Sequence, residues 1–197
     1  MEPITGLIFA SLALMGSPGP ATISLAATGA AFGFGRGIPY LLGINMGTTC
    51  VLMTIALGVT GLVLAIPGVT PVLVTLAAIY ILYLAYKIAT APPLSAQSGT
   101  GAAPRLWNGL LLALANPKAY AAIGAVFSGF TLVENQPAND AIFKVAVLTC
   151  MIFMINSVWL GVGASLAQVF RSPTASRVVN LGFSALLVVS VIFSLFL

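Results

Sequence analysis

The stretch Ser17-Pro18-Gly19-Pro20 lies in the middle of an apolar run from about Pro3 to Phe32, and the reading of the whole chain turns on it. Proline removes a backbone donor and clashes with the preceding helical turn, so two prolines around a glycine predict a helix broken here. As one straight helix the run would be about 45 Å long at roughly 1.5 Å per residue. It must therefore tilt, overshoot a membrane or break, and the prolines select the break. Asn116-Pro117-Lys118 interrupts a second apolar run, Trp107 to Val133, in the same way. Two hydrophobic segments interrupted near their centres, at corresponding places in two halves of a chain, point to the binding site of a secondary transporter built from internal repeats.

Composition agrees with that class. Of 197 residues, 60% are hydrophobic and 5% charged, with no histidine; soluble domains carry about 25% charged residues. The chain is therefore expected to be an all-α integral membrane protein whose first partner is the lipid bilayer. A net charge of +4 from scattered basic residues does not make a nucleic-acid surface. Since a helix needs about 20 apolar residues to cross the hydrocarbon core, six spans are predicted near 4–32, 38–66, 70–89, 106–133, 141–169 and 176–197. The first lacks the basic n-region of a signal peptide, beginning Met1-Glu2, and is expected to be retained.

The Pro/Ser/Gly/Ala-rich stretch from Ala91 to Pro104 has the composition of a flexible connector. It divides the chain into a first three-helix repeat (1–90), a linker (91–104) and a second three-helix repeat (105–197). Three is odd, so equivalent halves enter the membrane in opposite senses and form an inverted repeat, with helices 1 and 4 broken near mid-membrane. Asn45 and Asn156 stand at matching places in the second span of each half. Gly33-Phe34-Gly35-Arg36-Gly37 is expected to turn the first hairpin. Gly33-xxx-Gly37, Gly43-xxx-Gly47 and Ser157-xxx-Gly161 are small-residue patterns that serve packing within one chain or a homodimer interface. Tyr80, Tyr83 and Lys87 share one face of span 3, where Tyr and Lys near a span end act as interface anchors. Arg36, Lys87, Arg105, Arg171 and Arg177 fall on one side of the bilayer, against Lys144 with Glu2, Glu134 and Asp140 on the other. The positive-inside rule puts the linker in the cytoplasm and both termini outside.

Taken together, Ser17-Pro18-Gly19-Pro20-Ala21, the Gly33/Gly35/Gly37 turn and Asn116-Pro117-Lys118 resemble the LysE/RhtB family of bacterial amino-acid exporters, over the whole chain including its six spans and linker. The resemblance implies export of an amino acid or close derivative from the cytoplasm across the bacterial inner membrane. It leaves the substrate open.

The residues themselves suggest how such a solute is held. Asn116 is a suitable N-cap and Pro117 a suitable first residue for a half-helix, which puts Lys118 in its first turn. A helix start already carries partial positive charge, and a lysine at mid-bilayer costs about 2.5–3.5 kcal/mol on insertion scales. With no acid in any span core to pair it, the combination makes an anion site. A substrate carboxylate is expected at Lys118 and at the free amides from Gly19 through Pro20 to Ala21, where a second half-helix begins. The substrate ammonium is expected on carbonyls at the ends of the first half-helices, with Asn45 and Asn156 assisting; Ser17, Pro18 and Pro117 are counted with these as substrate-binding residues. No intramembrane Asp or Glu offers a countercharge, which favours a neutral side chain. Coupling to protons, if used, would have to run through Lys118 or the substrate.

Other classes fare worse. A transmembrane thiol or redox carrier would use Cys50 and Cys150, but neither adjoins a helix break, a bilayer interior disfavours the reactive thiolate, and small packing residues are the plainer reading. Three acids, no histidine and two isolated cysteines do not assemble a metal site. No acid, base and nucleophile combine into an enzyme's constellation, and no cofactor is expected.

Overall fold

The computed structural model describes residues 3–58, 66–90 and 103–169, with individual helical positions between 174 and 192. The linker through 102, Glu2, Arg171, Asn180 and the side chains of Tyr80 and Lys87 lie outside the described residues, as does most of the sixth predicted span. Among the described residues all regular structure is helical: α1 (Pro3–Leu14), α2 (Pro20–Ala56), α3 (Val69–Ala89), α4 (Leu106–Leu114), α5 (Pro117–Gly129) and α6 (Pro137–Val169).

Proline chemistry sets the helix starts. Pro20 and Pro117 occupy the first turns of α2 and α5, where a missing N–H removes nothing the helix could use. The residues before them are extended: Gly19 has φ −172° and ψ 179°, and Asn116 φ −85° and ψ 102°. The chain therefore leaves α1 after Leu14, and α4 and α5 meet at a bend of 62°.

The first hairpin is tighter than the glycine-rich turn suggested. Helix runs on both sides of Gly33, which alone carries non-helical angles, φ 78° and ψ 167°. Tyr40 Oη nevertheless donates to Ser24 Oγ at 3.0 Å across 16 residues; a straight helix would separate them by about 24 Å. The corner is thus one residue, and glycine is needed there for its positive φ. Gly35, with nothing within 4 Å of a Cβ, has no such constraint.

Two buried clusters hold the helices together. One gathers Leu25, Tyr40, Ile44, Leu112 and Leu160, the other Leu7, Leu52, Ile123, Leu148 and Ile152. Between them backbones come into direct contact at glycines. A Cβ on Gly43 would lie 1.9 Å from Leu106 O and one on Gly109 2.4 Å from Tyr40 O, so α2 and α4 meet glycine to glycine. Gly29 and Gly163 join α2 to α6 likewise, at 2.2 Å from Leu160 O and 1.9 Å from Ala26 O. The Gly43-xxx-Gly47 pattern thus packs within the chain. Gly163→Ala is expected to lower the thermal midpoint in detergent, since overpacking costs about 1–3 kcal/mol. Gly161→Ala, whose Cβ would meet only the Phe34 ring at 3.9 Å, is the comparison that should leave it unchanged or raised. Ser184 Oγ donates to Ala85 O at 2.9 Å, which seats the last segment against α3.

The outside of this bundle is apolar. Phe9, Met46, Leu57, Ile79, Trp107 and Ile142 are among the large exposed side chains. α2 and the Pro137–Ser165 part of α6 are long and apolar enough to cross a membrane, and α4 with α5 qualifies if the bent pair is one span. Cys50 and Cys150 are exposed on this surface as free thiols, contrary to the packing role expected of them.

The charges at 140 and 144 also differ from expectation. They are not loop charges: Asp140 and Lys144 are buried and paired at 2.7 Å. One turn apart on α6, they tie its start to the end of α5.

Candidate functional site

The end of α1 and the start of α2 form the first wall. Ser11 Oγ and Ser17 Oγ bond back to Leu7 O and Leu14 O, closing the helix's side of the break. The carbonyls of Gly16, Ser17 and Pro18 then point away without helical partners, as helix ends require. Thr22 Oγ1 reaches Ser17 O at 3.3 Å, and donors from the other half of the chain meet all three. Trp159 Nε1 donates to Gly16 O at 3.1 Å, and Lys118 Nζ donates to Ser17 O and, at 3.3 Å, to Pro18 O.

On the α2 side, Thr22 Oγ1 accepts the Gly19 N–H at 2.9 Å and reaches Gly19 O at 3.1 Å. The Gly19 amide expected to serve an anion is therefore taken. Pro20 has no N–H, which leaves Ala21 and Thr22 as the donors of that helix terminus.

The second wall is the α4–α5 bend. Asn116 stands at the N-cap position, yet its side chain makes no capping bond. Ala119 N bonds instead to Asn116 O at 3.0 Å. Asn116 is 5% exposed, and its Oδ1 has no hydrogen-bond partner among the described residues. An acceptor buried without a donor is costly, and this one belongs to a residue that lines the cavity. Lys118 leans from α5 across Gly19 to the carbonyls of the first wall.

Between the walls is a cavity of about 40 Å³, with Gly19, Thr22, Thr48, Asn116, Lys118 and Asn156 as its polar lining. Ile123, Ile152 and Ile155 supply much of the rest. Among the described residues neither an acidic side chain nor a cysteine lines it. Its volume holds a few waters at most, so a solute the size of an amino acid requires the walls to part.

The residues singled out from sequence divide by position. Lys118, Asn116, Gly19, Ala21 and Asn156 line the cavity. Ser17 and Pro18 contribute carbonyls at its edge, and Pro20 and Pro117 set the backbone. Asn45 does not line it: its Oδ1 accepts Asn156 Nδ2 at 2.8 Å, so it holds Asn156 from behind. Its own Nδ2 has no partner among the described residues. Thr22, Thr48 and Trp159 were missed. Thr22 was legible as the third helical residue after Gly19, where a hydroxyl reaches back to the N-cap. Trp159 follows Asn156 by three on the same helix face.

Residues 12–196 match the family described as LysE type translocator. Over 159 residues the chain is 30% identical to the cysteine/O-acetylserine efflux protein of Salmonella choleraesuis, covering 79% of each. Over 174 residues it is 29% identical to the cysteine/O-acetylserine efflux protein of Escherichia coli K12, covering 87% of each. No solved structure matches.

Proposed function

The chain belongs to the LysE type translocator family, and on that premise we propose that it works as a multi-pass membrane exporter and not as an enzyme, and how it recognises its solute. The substrate is a small amino acid or close derivative with a neutral side chain, of the kind the names of its relatives describe, cysteine or O-acetylserine. Its carboxylate binds Lys118 and the amides of Ala21 and Thr22, and its passage follows alternating access around the two helix breaks.

The observation that carries this reading is a lysine beside a cavity whose wall, among the described residues, has no acid and has an unfilled buried acceptor at Asn116. A zwitterion matches both demands. An acidic side chain would add a second anion to one lysine, and a basic one would bring a cation without a countercharge.

The architecture proposed with it is two inverted three-helix repeats, 1–90 and 105–197, joined by a cytoplasmic linker, with both termini periplasmic. α1 and the α2 leg before Gly33 together measure about 38 Å at 1.5 Å per residue, and α4 with α5 about 33 Å. Each sum covers the roughly 30 Å core that neither member covers alone. These lengths support helices 1 and 4 as broken spans.

Counterflow in proteoliposomes tests the substrate class. Labelled cysteine and O-acetylserine should exchange at least about tenfold faster than lysine or aspartate, a difference of roughly 1.4 kcal/mol. Preferred exchange of lysine would overturn the neutral side chain. A Cys50→Ala, Cys150→Ala double variant should transport as the parent does, since neither thiol lines the cavity.

A further inference from the structure

The carbonyls of Ser17 and Pro18 receive an ammonium group in this structure, and that ammonium comes from Lys118, 100 residues and more along the chain. We propose that this carbonyl pair is a site for primary ammonium groups, filled by Lys118 in the empty carrier and by the substrate's α-ammonium in the loaded one. When substrate enters, its ammonium takes the two carbonyls and Lys118 Nζ turns to its carboxylate. The inference rests on the reading of the cavity as an amino-acid site and deepens it.

Hydrogen-bond accounting supports the exchange. Ser17 and Lys118 are half-buried, and a carbonyl or an ammonium that loses its partner there is left less well satisfied. An amine without a carboxylate would displace Lys118 and strand it. A carboxylate without an ammonium would draw Lys118 off, leaving Pro18 O without the ammonium and Ser17 O with only the Thr22 hydroxyl at 3.3 Å. A molecule bearing both charges gives the lysine and the carbonyl pair each a charged partner.

Gly19 gives the lysine its room. Its backbone is extended, a conformation any residue adopts, so the glycine is not there for its angles. A Cβ at Gly19 would stand 2.5 Å from Lys118 Cδ and 3.0 Å from its Nζ. Asn116 Oδ1, buried and without a partner in the same cavity, is a further acceptor for an arriving ammonium.

Binding of three probes to purified protein under reducing conditions tests the site: cysteine, 2-aminoethanethiol, which lacks the carboxylate, and 3-mercaptopropionate, which lacks the ammonium. The parent should prefer cysteine over either fragment. Lys118→Met and Gly19→Ala both clear the carbonyls, so 2-aminoethanethiol should bind each at least about tenfold tighter than it binds the parent, as removal of a competing internal ligand predicts. Gly19→Ala displaces only the end of a flexible side chain and keeps the fold. Amine affinity unchanged or weakened in both variants would overturn the proposal, because a merely structural lysine offers no gain of binding. Should the parent bind no amino acid while the variants still gain the amine, the amino-acid reading falls and the ammonium site stands.

Discussion

Lys118→Met is expected to slow counterflow of labelled cysteine by about 100-fold while the purified protein stays monodisperse and folded. A hydrogen bond to a charged group contributes about 1.5–3 kcal/mol, which at 1.4 kcal/mol per decade is roughly 10- to 150-fold. The upper part of that range applies because, among the described residues, the cavity wall offers no other cation to a carboxylate. Methionine keeps the apolar stem and lacks only the terminal ammonium, so packing against Gly19 is retained and charge is removed. Lys118→Arg should recover only part of the rate. Its planar fork cannot follow the compact ammonium into the gap beside Gly19, where a single added carbon would already collide. Initial rates at several substrate concentrations separate the causes, since a lost carboxylate contact appears first in the concentration for half-maximal exchange. Wild-type exchange by the Lys118→Met protein would remove the carboxylate site and leave the lysine as a strut between the two breaks.

The parts of this architecture that local chemistry decides were legible in the sequence. Pro20 and Pro117 cannot continue a preceding helix, and helices end at Leu14 and Leu114 and restart at those prolines. Gly43 and Gly47 could be read as a close-packing face, and they pack against α4. The partners that long-range packing chooses were not legible. Nothing local says that Lys118 reaches Ser17 and Pro18, that Trp159 reaches Gly16, or that the hairpin turns at Gly33 rather than across five residues. Asn45 and Asn156 were matched by position, but their mutual hydrogen bond depends on how α2 and α6 cross, which no spacing records. Asn116 misled through propensity. Asparagine is a good N-cap on average, yet here the side chain turns into the cavity and leaves the first turn to backbone bonds. Such a departure from local preference is what a binding residue shows when its polar atom is held for a ligand.

Asp140 and Lys144 illustrate the same limit, and they carry the largest stability effect expected of a single change. Their spacing of four was visible, but counting loop charges treated them as solvated. In the structure Lys144 Nζ bonds Phe127 O at 2.9 Å and Phe130 O at 3.1 Å, and lies 4.4 Å from the centroid of the Phe127 ring. It thereby caps the carbonyl end of α5, where a cation also meets the favourable end of the helix dipole. Asp140 Oδ1 accepts Leu132 N at 2.5 Å and Val133 N at 3.1 Å, fixing the chain that leaves that helix. Lys144→Met removes the cation, which leaves the Asp140 carboxylate without its countercharge and two carbonyls without their donor at once. Breaking a buried pair from one side costs about 3–5 kcal/mol. At 2–4 °C per kcal/mol for a chain of this size, the thermal midpoint in detergent should fall by about 10 °C. Asp140→Asn should cost less, because Lys144 keeps its two carbonyls and the amide oxygen still accepts from Leu132 and Val133. Joined to Lys144→Met, it should restore part of the loss by removing the uncompensated charge. A midpoint unmoved by Lys144→Met would mean that water reaches the pair, and the α5 terminus would then be secured by packing alone.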